Sequence, residues 1–321
     1  MRGALDANTL QHLTRFSGLG LDLETEGKLM KKVLFATTAL VATAGVAAAD
    51  VTFGGYGRFG VLYVEDGDGP GDDAVDITSR FRLQIDATAE SDAGVTFGAR
   101  VRIQQNEGQQ GMTNGARFFA RSGGLEVGVG NIFGAIEFMP GMYPIDLGLT
   151  GLGYDYTAYN FRADAYSSGG LGNSGDNGVE VMWSGGDLSV HVSASDTDDR
   201  IAAHVAYSWN GWTFAIGAQD SDSPTDTEFA VSAGGSIGPA DITVAYADNG
   251  TSGDHWVVAG RFDVGAATNV EVYVADADYF TDTSYGVDFN HDLGGGTSLR
   301  GGIAHRSSGN IQADLGVRFN F

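Results

Sequence analysis

The chain contains no cysteine, which excludes a disulfide framework, thiol catalysis and cysteine-ligated metals together. Proline is scarce, 5 in 321 residues, beside 50 glycines. Glycine costs backbone entropy on folding, so such an excess has to serve positions, and regularly spaced tight turns are the use that fits. Lysine is absent after residue 49. Residues 1–49 hold five of the 18 basic and four of the 41 acidic residues, leaving 13 arginines against 37 acids. That balance argues against nucleic acid as a partner, because phosphates require cationic patches. It suits an extracytoplasmic protein with acidic, solvated loops. The chain after residue 49 also lacks an apolar run of the roughly 20 residues that a membrane helix needs.

The first 49 residues read as a processed leader. From Met30 runs "MKKVLFATTALVATAGVAAAD": two lysines, an apolar stretch from Val33 to Val46, then Ala47, Ala48 and Ala49 before Asp50. This is the order of a secretory signal peptide, and its apolar part is too short to span a bilayer. Residues 1–29 show no organisation and precede a better start at Met30, so they are expected to be a mis-assigned upstream extension. The division is therefore 1–29 extension, 30–49 signal peptide and 50–321 a single domain.

Helical spacing is hardly found after Val51; strict alternation dominates instead, the period of a strand with one apolar face. "ITSRFRLQIDATAE" sets Phe81, Leu83, Ile85 and Ala87 against Arg80, Arg82, Gln84 and Asp86. The rhythm recurs through "VTFGARVRIQQ", "LSVHVSAS", "IAAHVAYSW", "WTFAIGAQ", "HWVVAGRF" and the final "ADLGVRFNF". Connections alternate too. Short glycine-rich turns ("SDAG", "GG", "GGD", "NG", "IGPA", "VGAA", "LGGG") take turns with longer polar loops such as "EDGDGPGDDAV" and "DADYFTDT". Seven turns and eight loops join sixteen strands, with both termini on the short-turn side. An even strand number with unequal connections predicts a 16-stranded antiparallel transmembrane β-barrel, apolar face to lipid and polar face to water. A soluble sandwich also alternates, but sixteen strands are too many for one sheet pair, and its outer face would carry more charge. Phe53, Tyr63, Phe138, Trp183, Trp209, Trp212, Trp256 and Phe321 are candidates for the interfacial aromatic girdles.

Sixteen strands leave an aqueous lumen, so function depends on what narrows it. The connection from about Ile132 to Gly178 is far longer than an ordinary loop. It is rich in Phe138, Met139, Tyr143, Leu147, Tyr156, Tyr159 and Phe161, so it is expected to pack on the inside of the barrel. Alternation puts Arg58, Arg80, Arg82, Arg100 and Arg102 on the lumen side, joined by Arg117 and Arg121. Arg300 and Arg318 share that face on the last two strands, which neighbour the first on closure. Arginine cannot shed its charge, so the crowding has to be offset by water, counterions and carboxylates. Glu137, Asp146, Asp155, Asp164 and Asp176 on the long loop are the candidate opposing charges, setting a field across the narrowest point. An enzyme would need a nucleophile, base and orienting group within reach, and neither G-x-S-x-G nor H-E-x-x-H is present. His191 and His204, on strands 7 and 8, are expected to be ordinary histidines on a wet wall.

The segments "SRFRLQIDATAESDAGVTFGARV", "GNIFGAIEF", "LGGGTSLRGGIA" and "ADLGVRFNF" resemble the general diffusion porins of purple photosynthetic and related alphaproteobacteria, over essentially the whole chain from Asp50. The resemblance implies a sixteen-stranded homotrimer in the outer membrane, among its lipids and lipopolysaccharide, whose third loop folds inward as the eyelet of a passive diffusion channel. It implies that Glu137 matches an acidic eyelet position. A solute-specific channel is the alternative. The terminal Phe321 resembles the signal by which the barrel assembly machinery recognises its clients. Family members can hold calcium among loop acids, but "EDGDGPGDD" lacks the spacing and terminal Glu of an EF-hand, so loosely held counterions are expected there, and no cofactor. Intact mass of protein extracted from outer membranes should correspond to a chain beginning at Asp50; a species retaining any of residues 1–29 would refute the assigned start.

Overall fold

The computed structural model describes residues 49–67, 74–161, 163–166, 175, 177–222 and 227–321. Sixteen long strands form one antiparallel sheet. They are β1 (Asp50–Val64), β2 (Val75–Glu90), β3 (Thr96–Asn106), β4 (Arg117–Ser122), β5 (Leu125–Asn131), β6 (Asn177–Gly185), β7 (Leu188–Ser195) and β8 (Ile201–Trp209), followed by β9 (Trp212–Asp220), β10 (Glu228–Ile237), β11 (Ala240–Asp248), β12 (Asp254–Asp263), β13 (Thr268–Ala277), β14 (Ser284–Gly294), β15 (Thr297–His305) and β16 (Ile311–Asn320). A two-residue bridge, Met112–Thr113, pairs with the far end of β3 and fills the gap before β4 begins. Each strand pairs with its sequence neighbours, and β1 pairs with β16 from Tyr56↔Asn320 to Val64↔Gln312. That pairing closes the barrel and removes the open edges a sandwich would keep.

The local chemistry follows the strand and turn rules. The three described prolines, Pro140, Pro144 and Pro239, lie outside the strands, where the missing N–H breaks no ladder. The β8–β9 hairpin turns on Asn210 (φ 51°) and Gly211 (φ 81°), both left-handed, as a two-residue turn matched to strand twist requires.

The outward positions carry the large apolar side chains and leave them uncovered. Ile77 is 76% exposed, Trp209 64% and Ile216 58%. Such residues are the rule on every strand's outer face, far beyond the apolar patch of a few hundred Å² that a water-soluble protein tolerates. A surrounding bilayer removes the contradiction, since a closed barrel satisfies its backbone internally. Among the described residues no helix is long and apolar enough to cross a membrane; the crossing is made by strands. Of the girdle candidates, Phe53, Tyr63, Trp183, Trp209, Trp256 and Phe321 are exposed on the outside. Phe138 is not among them: it is buried in the long loop against Phe133, with centroids 4.4 Å apart. It lies beyond the end of β5, where strand alternation no longer governs direction.

The face assignment can be checked by substitution on β9. Ile216→Lys should cost about 2–4 kcal/mol in reversible urea unfolding from liposomes, the depth-dependent cost of a cation facing lipid. Lysine at the inward Thr213 should cost under about 1 kcal/mol; equal costs at the two positions would refute the assignment.

Candidate functional site

The long β5–β6 connection folds into the barrel, and the hydrophobic core of the molecule lies there. Inward positions of β8–β15 are largely alanine: Ala202, Ala206, Ala215, Ala230, Ala245, Ala259, Ala275 and Ala304 are all buried. These small side chains make a floor on which Ile136, Met139, Met142, Leu147, Tyr156 and Phe161 of the loop are packed. A bulkier wall would push the loop across the lumen. Where the loop comes closest, the wall is glycine: a Cβ at Gly217 would meet Ile136 and Met139 at 2.8 Å.

An irregular segment inside a barrel must find partners for its backbone groups. Wall carboxylates supply them. Glu180 on β6 accepts from the N–H groups of Phe133 (3.0 Å) and Gly134 (3.3 Å) while paired with Arg117 (2.5 Å) and His191 (2.9 Å). At the far end of the loop the N–H of Asp146 donates to Glu271 of β13 (3.0 Å), and that of Gly148 to Asp288 of β14 (2.5 Å). The N–H groups of Leu149 (2.9 Å) and Thr150 (2.7 Å) donate to Asp314 of β16. Gly148 has φ 63° and lies so close to the Asp314 carboxylate that a side chain would collide with it. His204 is bonded through Nδ1 to the carbonyl of Ala135 (2.5 Å). Both histidines therefore lie buried beneath the loop and brace its entry, where a wet wall was expected, because the loop covers their side of the lumen.

The opposite wall is cationic. Strand register brings Arg58 directly across from Arg80 on one side and from Arg318 on the other. Arg100 stands across from both Asp86 and Arg117. The side chains are held in place by neighbours of many kinds. Arg82 donates to Gln104 (2.7 Å), Arg80 to Asn106 (2.7 Å), Arg102 to Gln84 (3.2 Å) and Arg100 to Asp86 (2.6 Å). The guanidinium carbons of Arg318 and Arg82 lie 4.3 and 5.3 Å from the centre of the Tyr56 ring, and that of Arg102 lies 4.6 Å from Tyr166, distances of cation–π attraction.

Asp146 is a loop carboxylate that reaches the cationic wall. Asp146 bonds to Arg300 (2.5 Å) and Arg318 (3.1 Å), spanning two strands. The other expected loop acids are placed differently. Asp155 pairs with Arg306 in the β15–β16 loop (2.8 Å) and Asp164 with the buried Arg200 in the β7–β8 loop (2.5 Å). Their segment returns along the long-loop side, where these two carboxylates bond to arginines of those loops. Glu137 is buried and accepts from the Tyr143 hydroxyl (2.9 Å). Asp176 lies outside the described residues. Arg117 has inward parity but is enclosed between Glu126, Glu180 and the Phe133 ring, 3.9 Å away. Arg121 is exposed at the short-turn end of β4, across from Glu126, away from the row that meets the loop. Glu180, Glu271, Asp288 and Asp314 were missed by the sequence reading, although acids at inward parity inside apolar strands were a readable signal. Among the described residues no three His, Asp or Glu side chains are grouped to hold a metal ion.

Comparison with known proteins agrees with this architecture. A family model described as Gram-negative porin matches residues 36–310. The chain is 32% identical over 295 residues to a porin of Fuscovulum blasticum, and 29% identical over 323 residues to a porin of Rhodobacter capsulatus; each alignment covers 85% of this chain and all of the relative. A solved triple mutant of the Rhodopseudomonas blastica porin superposes with a TM-score of 0.77 at 29% identity, over 85% of this chain and all of that one.

The Asp155–Arg306 pair makes a pH-dependent anchor. Burial opposes ionisation of Asp155, but Arg306, the Ser307 N–H and the Ser284 hydroxyl outweigh it and hold the carboxyl below its ordinary value. The stabilisation is complete above the unfolded pKa of about 3.9 and is lost as pH falls through the depressed folded value. Asp155→Asn should make the loop more protease-sensitive at pH 7, by about 2 kcal/mol. The difference from the parent should shrink below about pH 4; a difference independent of pH would refute the ion pair.

Proposed function

The chain belongs to the Gram-negative porins and forms a water-filled channel through the outer membrane, and we propose that its eyelet lies between the arginine sector of β1–β4, β15 and β16 and the inward-folded β5–β6 loop. The observation that carries this reading is the division of the lumen. Among the described residues the loop packs on β6–β15, reaches β16 and β1 at Leu149 and Thr150, and touches the arginine sector through Phe133, Tyr166, Asp146 and Leu149.

A water-filled gap with fixed cations on one side and a hydrogen-bonded loop on the other selects by charge, dipole and size. Ions and small hydrophilic solutes keep their hydration while crossing, and the field orients dipolar ones. Apolar solutes gain nothing there. No covalent step is required, and the inward acids Glu180, Glu271, Asp288 and Asp314 are engaged in holding the loop. Asp146 tunes the field, since one carboxylate offsets parts of Arg300 and Arg318. The export route is a cleaved signal peptide ending at Ala49. Assembly is a homotrimer in a lipopolysaccharide-bearing membrane, with Phe321 read by the barrel assembly machinery.

Planar-bilayer recordings of the refolded protein should show ohmic openings in multiples of three; a folded barrel without conductance would remove the channel reading. Neutralising Arg80, Arg82, Arg100 and Arg102 together should shift the reversal potential in a salt gradient toward cation selectivity. An unchanged potential would mean that these arginines do not line the constriction.

A further inference from the structure

We propose that Arg58 is the centre of an oxyanion subsite in the eyelet, which takes inorganic phosphate, sulfate or a carboxylate group in transit. The proposal rests on the reading that the arginine sector lines the channel, and adds to it a class of solute that is held rather than merely passed.

Arg58 sits in the middle of a row. Its cross-strand neighbours are Arg80 and Arg318, and like charges directly opposite one another destabilise a sheet. None of the three can lose its proton. Arg58 donates through Nη1 to the carbonyl oxygen of Leu149 (2.6 Å), a neutral acceptor, and its Nε is buried without a hydrogen-bond partner. The two carboxylates nearest in the fold are turned elsewhere. Asp146 is bonded to Arg300 and Arg318, and Asp314 to the amides of Leu149 and Thr150 and the hydroxyl of Thr150. A desolvated cationic donor without an anionic acceptor is costly, and an oxyanion supplies one.

The surroundings favour this class of ion. A guanidinium is a planar fork that matches two oxygens of a phosphate, sulfate or carboxylate, whereas a halide meets it at one point. Tyr56, two residues before Arg58 on the inward face, backs the cluster: its hydroxyl accepts from Arg80 (3.4 Å) and its ring lies 4.3 Å from the Arg318 guanidinium carbon. An aromatic backing excludes water from one side and strengthens the attraction. The Leu149 carbonyl fixes the height of Arg58 against the loop tip, so the subsite lies where loop and wall converge.

The test is single-channel recording of the refolded full barrel in potassium chloride, with inorganic phosphate added at constant ionic strength. Phosphate should reduce chloride current saturably. Arg58→Gln should raise the half-inhibiting concentration about tenfold, and Arg58→Lys, which keeps the charge but not the fork, by about threefold to tenfold. A current that follows ionic strength alone, or equal inhibition of all three proteins, would overturn the subsite. Heat-modified mobility on gels checks that each variant is folded; if the glutamine variant is not, the lysine variant decides. If Arg58→Gln shifts selectivity while phosphate has no saturable effect in any protein, the subsite alone fails. If Arg58→Gln and Arg58→Lys both keep the parent's conductance and selectivity, Arg58 serves only to hold Leu149, and the eyelet reading of this row fails with the subsite.

Discussion

The bilayer offers no water to an unpaired amide, and the rest of the molecule follows from that one constraint. Every strand needs two neighbours, so the first must meet the last. The β1–β16 seam meets it as far as the final residue, where Gly55 and Phe321 exchange N–H···O bonds of 2.9 and 3.1 Å. Closure puts both termini on the short-turn side. It also fixes which side chains become neighbours without being near in sequence, and Arg58 beside Arg318 is such a pair. A chain end that looks like an exposed hydrophobic tail is thus a structural seam, and its charged face completes the cationic wall.

Turning the apolar face outward leaves the inside without a core, and the long loop provides one. It carries its own apolar side chains to a floor of alanines on β8–β15, so that side of the lumen is packed like a protein interior. The same loop brings unpaired amides with it. Wall carboxylates answer them, and Glu180, Asp288 and Asp314 each accept two or more donors, which is how a desolvated carboxylate is kept tolerable. Glu180, Asp288 and Asp314 are therefore structural acids, and their negative charge is directed at loop backbone more than at passing solutes.

The strands were legible because alternation and turn chemistry agree along the whole chain: the inward parity of Arg58, Arg80, Arg82, Arg100, Arg102, Arg300 and Arg318 follows from counting by twos. Parity says which face a residue occupies but nothing about what covers it. For that reason Arg117 was expected in the open and lies enclosed, and His191 and His204 were expected to be wet and lie under the loop. Inside the loop there is no period to count. Asp146, Asp155 and Asp164 are equivalent as letters, yet one meets the wall and two meet Arg306 and Arg200, a difference set by the path of the backbone. The dual use of Phe138, as girdle or as loop core, was undecidable for the same reason.

The separation of acids by depth also limits what net charge can say about the pore. The chain carries a formal charge of −23, and a cation-preferring channel is the simple inference. Many of those acids sit in the connections at the long-loop rim. From Arg58 to Glu65 is seven residues of nearly extended chain, about 20 Å, while charges in physiological salt are screened over about 8 Å. Rim acids therefore raise the local cation concentration at the mouth without setting the field at the constriction. With the eyelet proposed above at the arginine row and Asp146, the sign of selectivity would be decided by a handful of side chains whose balance opposes that of the chain as a whole.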